Sequence, residues 1–139
     1  MEREIIFYEN HFADFFVTLG DKAKEKLLYS LDIVKSQEIV PNKFMRHITN
    51  SDGVYEVRAS SGSNQYRVLC FFEEGDLISG GKIVVLGNGF IKKSKTKELK
   101  RALRIAEMLK VRYFEELKAK EIGETDVENE GINKSDKQE

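Results

Sequence analysis

Apolar and polar positions alternate weakly from Arg3 to Tyr8, a stretch rich in Ile, Phe and Tyr, which predicts a first strand. The period then lengthens. Asn10 is placed to cap a helix that carries Phe12, Phe15, Phe16 and Leu19 on one face, and Gly20 ends it. Asp21 is placed to cap a second helix over Lys22–Ser36, with Ala23, Leu27, Leu28, Leu31 and Val34 at helical spacing and lysines opposite. The two read as an antiparallel hairpin, broken by Pro41-Asn42. Phe44, Arg46 and Ile48 suggest a short strand. Val54–Ala59 alternates well, with Tyr55, Val57 and Ala59 on one side and Glu56 and Arg58 on the other. Residues 60–64 (Ser-Ser-Gly-Ser-Asn) predict a hairpin loop, Gln65–Phe72 a strong strand, and Lys82–Phe90 an apolar central strand interrupted by Gly87 and Gly89. From Thr96 to Lys120 a stripe of Leu99, Leu103, Ala106, Leu109, Tyr113 and Leu117 restores the helical period. The expectation is one α+β domain over residues 1–120. An N-terminal strand and helical hairpin pack on a mostly antiparallel sheet, and a C-terminal helix follows.

Charge changes this picture in two places. Residues 121–139 hold seven acids and two lysines without periodicity, so they read as an acidic, disordered tail. Residues 92–112 hold nine Lys or Arg against two Glu, a local basic cluster of the kind that favours polyanions. The whole-chain net charge of −1 conceals both. No run approaches the roughly 18 apolar residues that a membrane span needs. The N-terminal pattern does not match a secretory signal, and the single cysteine, Cys70, cannot form an internal disulfide; a cytoplasmic location is the expectation. Cys70 sits mid-strand and reads as a buried thiol. The segment Gly87-Asn88-Gly89 lacks the spacing of a dinucleotide or P-loop motif. No metal or cofactor motif is present.

Three short motifs in order carry a resemblance. Tyr55-Glu56-Val57-Arg58 is followed by Tyr66-Arg67-Val68-Leu69, then by Val84-Val85-Leu86 and Gly89-Phe90-Ile91-Lys92-Lys93, and a helix containing Arg104-Ile105-Ala106 comes next. Over roughly residues 3–115 this resembles the HigB-like, phage-derived branch of the RelE/ParE toxin superfamily. Relatives often carry a histidine before the phenylalanine; here Asn88-Gly89 precede Phe90. The resemblance implies a RelE-like fold and a type II toxin–antitoxin toxin that cleaves mRNA on the ribosome. Cleavage would proceed by attack of the RNA 2′-hydroxyl on the adjacent phosphodiester, without a metal or a small-molecule cofactor. The implied partners are a cognate helix-turn-helix antitoxin and ribosome-bound mRNA, with no membrane. Two alternatives stay open: a ParE-like poison of DNA gyrase, and a catalytically inactive module that only binds its antitoxin.

Such a reaction needs cations for the pentacoordinate phosphorane and groups that move protons. Arg58 and Arg67 are the first candidates, because guanidinium stays charged and can fork onto two phosphate oxygens. Lys92 and Lys93 are catalytic candidates with them, and Lys95 an RNA-binding one. This cluster follows a Gly-rich strand end, and cations near a helix N-terminus are unfavourable unless an anion joins them. His47 is the acid–base candidate near the sheet. Tyr55 and Tyr66 are candidates to stack on a base, with core packing expected for one of them. Phe90, Arg46 and Arg101 complete the RNA-contacting set.

Overall fold

The computed structural model describes residues 2–93 and 97–129, with side chains up to residue 123. Thr96, the expected cap of the last helix, and Lys95 lie outside the described residues, as does the segment 130–139. Along the chain run β1 (Glu4–Phe7), α1 (His11–Phe16), α2 (Asp21–Ser36), β2 (Met45–His47), β3 (Tyr55–Ser61), β4 (Asn64–Phe72), β5 (Ile83–Lys92) and α3 (Lys97–Asn129). The α+β expectation is met. The strands form one sheet in the order β1-β5-β4-β3-β2, antiparallel except for β1, which runs parallel to β5.

Three layers follow from the two faces of this sheet. Val57, Val68, Cys70, Val84 and Leu86 bury one face under α1 and α2, joined by Phe12, Leu27, Leu31 and Val34. Leu69, Phe71 and Val85 face the other way and meet Ala102, Ala106 and Leu109 of α3. The small Ala102 and Ala106 let the helix settle close to the strands.

Local details differ from the expected boundaries for identifiable reasons. Gly20, not Asp21, is the N-cap of α2, and Asp21 enters its first turn, where a carboxylate still complements the dipole. After Phe16, Thr18 and Leu19 donate to carbonyls three residues back, so α1 ends in a tight turn while Leu19 stays buried. The expected five-residue loop at 60–64 shrinks to Gly62-Ser63, because Gly62 takes φ 61° and lets β3 turn directly into β4. α3 continues through Gly123 to Asn129, past the point where the apolar stripe ends.

Two features lock the layers together. Arg3 is fully buried and donates from Nε to Gly81 O (2.9 Å), from Nη1 to Val34 O (2.8 Å) and Gln37 O (2.5 Å), and from Nη2 to Glu38 O (2.8 Å). One cation thus satisfies carbonyls at the end of α2, which have no helical partner, and ties them to the turn before β5. At the far end, α3 is held by its own polar contacts. Tyr113 donates its hydroxyl to Glu73, Tyr8 donates to Glu116 (2.8 Å), and Arg112 pairs with Glu9 (2.6 Å).

Replacing Arg3 by Met should lower the unfolding free energy by about 3 kcal/mol, since several charge-assisted bonds are lost and buried carbonyls are orphaned. The urea midpoint measures this, and an unchanged midpoint would contradict the stapling role. A second expectation concerns pH. Burial, then the bond to Glu73, pushes the Tyr113 phenol above its ordinary value of 10. A raised folded-state pKa gives stability that is fully present below pH 10 and is lost as pH rises further. Tyr113→Phe should therefore show a smaller loss of stability from pH 9 to 11 than the parent. A residual loss is expected from Cys70 and Tyr8, whose ionisation burial also disfavours.

Candidate functional site

The sheet face that carries α3 is not covered everywhere. Where β3 and β4 run beyond the helix, cross-strand register places charged side chains side by side. Arg58 is paired with Arg67, and Arg67 with Phe90 on β5; Arg46 of β2 is paired with Glu56. Direct partners share a face, as do residues two apart on one strand. Arg46, Glu56, Arg58, Arg67 and Phe90 therefore belong to one surface.

Glu56 organises this group. Its carboxylate is buried, at 6% exposure. Oε2 lies 3.3 Å from Arg46 Nε and 3.5 Å from Arg58 Nε, and Oε1 lies 3.5 Å from Arg67 Nε. Three guanidiniums thus share one negative charge, leaving the cluster net positive. Arg67 is itself buried, at 3% exposure, with Nη1 donating to Tyr66 O (3.0 Å) and Nη2 to Gln65 Oε1 (2.7 Å). Burial pushes its guanidinium below its ordinary value; Glu56 opposes that shift, and Arg58 and Arg46 add to it. Arg58 is more open. Its Nη1 donates to Asn42 O (2.9 Å), while its Nε, though buried, makes no hydrogen bond. Arg46 is half-exposed.

A β-bulge decides what joins the arginines from β5. Between the pairs Val68–Gly89 and Cys70–Leu86, β5 spends one residue more than β4. The extra residue lies in Gly87-Asn88 and reverses the facing of all that follows. Leu86 packs under α1 and α2, yet Phe90 packs on the α3 side and Ile91 under α1 and α2. Lys92, two residues beyond Phe90 and paired with Gln65, consequently lies on the arginine face, about 7 Å along the strand from the Arg67–Phe90 pair. Gly89 is required here because a Cβ would fall 2.3 Å from the Phe15 ring of α1. Asn88 donates to Ala102 O of α3 (3.1 Å), which fixes the helix over the bulge.

The remaining candidates are placed as follows. Lys92 and Lys93 are exposed at the end of β5, and Arg101 is exposed on the first turns of α3. Tyr55 and Tyr66 are both buried in the core under α1 and α2, so burial extends to both tyrosines rather than one. The Tyr55 hydroxyl accepts a bond from Leu77 N–H (3.3 Å). His47 pairs with Tyr55, on the face opposite the arginines; its ring lies edge-on to that tyrosine (5.3 Å) and near Ser51 Oγ (3.4 Å). The structure does not bring His47 to the arginine group. Cys70 is buried, and burial raises its thiol pKa, which suits a core residue and not a nucleophile.

A groove opens beside the cluster. Its volume is about 380 Å³, and it is lined by Lys26, Tyr29 and Ser30 of α2, Lys43 and Phe44 before β2, and Arg58, Ala59, Ser60, Gln65 and Arg67 of the β3–β4 hairpin. Four of these residues are cationic and none is acidic. The sequence reading reached Arg58 and Arg67 but assigned no role to Glu56, to the α2 residues or to Lys43. The signal for Glu56 was present, in its alternation with Arg58. The α2 residues carry no local signal, since only the fold sets them against β3. Among the described residues no group of His, Cys, Asp and Glu could hold a metal, and no helix is long and apolar enough to cross a membrane.

A family model described as phage-derived protein Gp49-like (DUF891) matches residues 14–110 of the chain. That span includes α2, all of β2 to β5 and the first part of α3, with Ala102, Ala106 and Leu109. No curated protein and no solved structure gives a significant match.

Replacing Glu56 by Gln keeps the shape of the side chain but leaves three guanidiniums without their shared anion. The expected cost is about 3 kcal/mol, at the low end for breaking a buried ion pair because Arg46 and Arg58 reach solvent. Added sulfate should recover part of that loss by supplying an anion to the cluster. Chemical denaturation with and without sulfate measures both effects, and equal stability of the two proteins would refute the organising role of Glu56.

Proposed function

The chain belongs to the Gp49-like family of phage-derived proteins, a family of RelE-like toxins of toxin–antitoxin pairs, and from that premise we propose that it is a HigB-like toxin that cleaves messenger RNA on the ribosome. The observation that carries the reading is the convergence of Arg46, Arg58 and Arg67 on one face about Glu56, beside a cationic groove. Family membership implies an antitoxin partner; for it we propose the cognate helix-turn-helix type, covering the basic face until it is released.

The proposed reaction forms a bond from the RNA 2′-oxygen to phosphorus as the 2′-hydroxyl gives up its proton to solvent, and breaks the bond from phosphorus to the 5′-oxygen, which takes up a proton. The products are a 2′,3′-cyclic phosphate and a 5′-hydroxyl. Negative charge grows on the non-bridging oxygens as the phosphorane forms. Arg58 and Arg46 are open enough to meet it, and preorganised cations of this kind lower the barrier because they need no rearrangement. Arg67 acts from beneath, holding Gln65 and sharing Glu56. Lys92 is exposed on the same face and is the proposed proton carrier to the 5′-oxygen, with Lys93 beside it on the RNA backbone. Phe90 and Arg101 are the remaining proposed contacts on this side.

The test is to induce the protein in a bacterial host without its antitoxin and to map new RNA 5′ ends, comparing the parent with Arg58→Gln and Lys92→Ala. New ends inside translated frames, absent when translation is blocked and about a hundredfold rarer in Arg58→Gln, are expected. Circular dichroism verifies that the variants remain folded. Growth arrest without new ends would redirect the case to a protein target such as gyrase. Absence of both would leave a toxin-fold module that binds only its antitoxin.

A further inference from the structure

The groove beside the arginines has a second wall that belongs to no strand. α2 runs across the face of the sheet opposite α3 and delivers Lys26, Tyr29 and Ser30 to the rim formed by β3. Ser30 anchors this wall by donating to Arg58 O (2.7 Å), so the α2 residues are held in register with the arginine on that strand. Tyr29 is 57% exposed, although it stands among core residues of the same helix. Its ring meets Phe44 edge-on at 5.8 Å, and Lys43 Nζ lies 5.6 Å from the Phe44 ring centre. Arg58 and Arg67 line the same groove.

An exposed tyrosine backed by a half-buried phenylalanine and bordered by four cations, with no carboxylate in the lining, has the chemistry of a single-stranded nucleic-acid site. Bases stack on open rings, and phosphates on either side meet lysine or arginine. A protein-binding groove would be expected to bury its aromatics among apolar neighbours. Here the other lining residues are Ser30, Ala59, Ser60 and Gln65. The volume of about 380 Å³ admits one unpaired base with its sugar and not a duplex.

We infer that this groove is a nucleotide subsite, in which Tyr29, backed edge-on by Phe44, stacks one unpaired RNA base while Lys26 and Lys43 hold its flanking phosphates. The inference rests on the RNA-directed reading of the arginine face and extends it: the base seated here is adjacent to the phosphate held by Arg58. Tyr29 is then a specificity-determining residue, acting by stacking and not by its hydroxyl. Lys26 contributes charge from the same helix, about one turn before Tyr29 and Ser30.

The test uses the full-length protein and a 2′-O-methylated single-stranded tetranucleotide, which can bind but cannot be cleaved through its 2′-oxygen. Affinity is measured by titration followed by NMR at several salt concentrations. Tyr29→Ala should weaken binding about tenfold, and Tyr29→Phe should retain it. Lys26→Ala should weaken binding and lower the salt slope by about 0.7, the increment for one phosphate contact on a single strand. Lys22→Ala, which removes the same charge elsewhere on α2, should change neither. No binding by the parent protein, or equal affinity for the parent and Tyr29→Ala, would overturn the inference, as would equal effects at Lys22 and Lys26. Since Tyr29 is exposed, Tyr29→Leu serves as a second folded variant and should behave as Tyr29→Ala. The readout needs no cleavage, so it separates from the functional reading. Binding that follows this pattern without new RNA ends in cells would sink only the nuclease assignment. New ends whose flanking sequence is unchanged by Tyr29→Ala would sink only the subsite.

Discussion

The positive surface of this protein depends on one buried carboxylate. Three arginines on adjacent strands repel one another, and the interior of a sheet face does little to screen them. Glu56, within 3.5 Å of all three, makes that arrangement affordable and fixes where each guanidinium can point. The balance is deliberately incomplete, with one anion to three cations. The excess charge is therefore held in place by the fold and is turned toward solvent at Arg46 and Arg58. A surface built this way is preorganised for a second anion, and a phosphate entering it completes a balance that Glu56 only begins.

Presenting that surface requires the strands to face correctly, which is the work of the irregular segment in β5. A strand without the extra residue at Gly87-Asn88 would place Ile91 on the arginine side and Phe90 and Lys92 in the core. Glycine supplies the bulge and also the room. Phe15 of α1 lies over Gly89, and Leu109 of α3 lies against Gly87, so helices from both layers approach the backbone at the irregularity. Asn88 then ties α3 down from within the bulge. The same three residues that superficially resemble a phosphate loop are a packing joint, and their effect on the site is indirect.

Much of this architecture was legible in the chain. The alternation of Val54–Ala59 located β3 and even the faces of Glu56 and Arg58, because an amphipathic strand encodes its facing directly, and the aromatic and β-branched content of Gln65–Phe72 located β4. The two N-terminal helices were legible for the same reason. What was hidden is what depends on sequence-distant partners. Nothing local in Glu4–Phe7 says that it lies parallel to β5, about eighty residues away, nor that Arg3 will cap α2 through three carbonyls and reach a fourth at Gly81. The two tyrosines of the strand motifs read equally well as core or as stacking groups, and only the position of α1 and α2 consigns both to the core. Tyr29, conversely, has the spacing of an ordinary helical surface residue, and the fold makes it the wall of a groove.

Arg67 shows why a motif residue and a contact residue need not coincide. It lies at the centre of the resemblance, yet it is nearly inaccessible, with its guanidinium divided among Gln65, the Tyr66 carbonyl and Glu56. Loss of its charge would free Glu56 to draw Arg46 and Arg58 inward, away from solvent. Its influence on any bound phosphate is therefore exerted mainly through the positions of its neighbours, with a long-range electrostatic contribution that burial strengthens. Arg58 stands one strand nearer the sheet edge and is partly open to solvent. The division follows from depth alone: the buried cation sets the geometry, and the half-buried one is the more open to solvent.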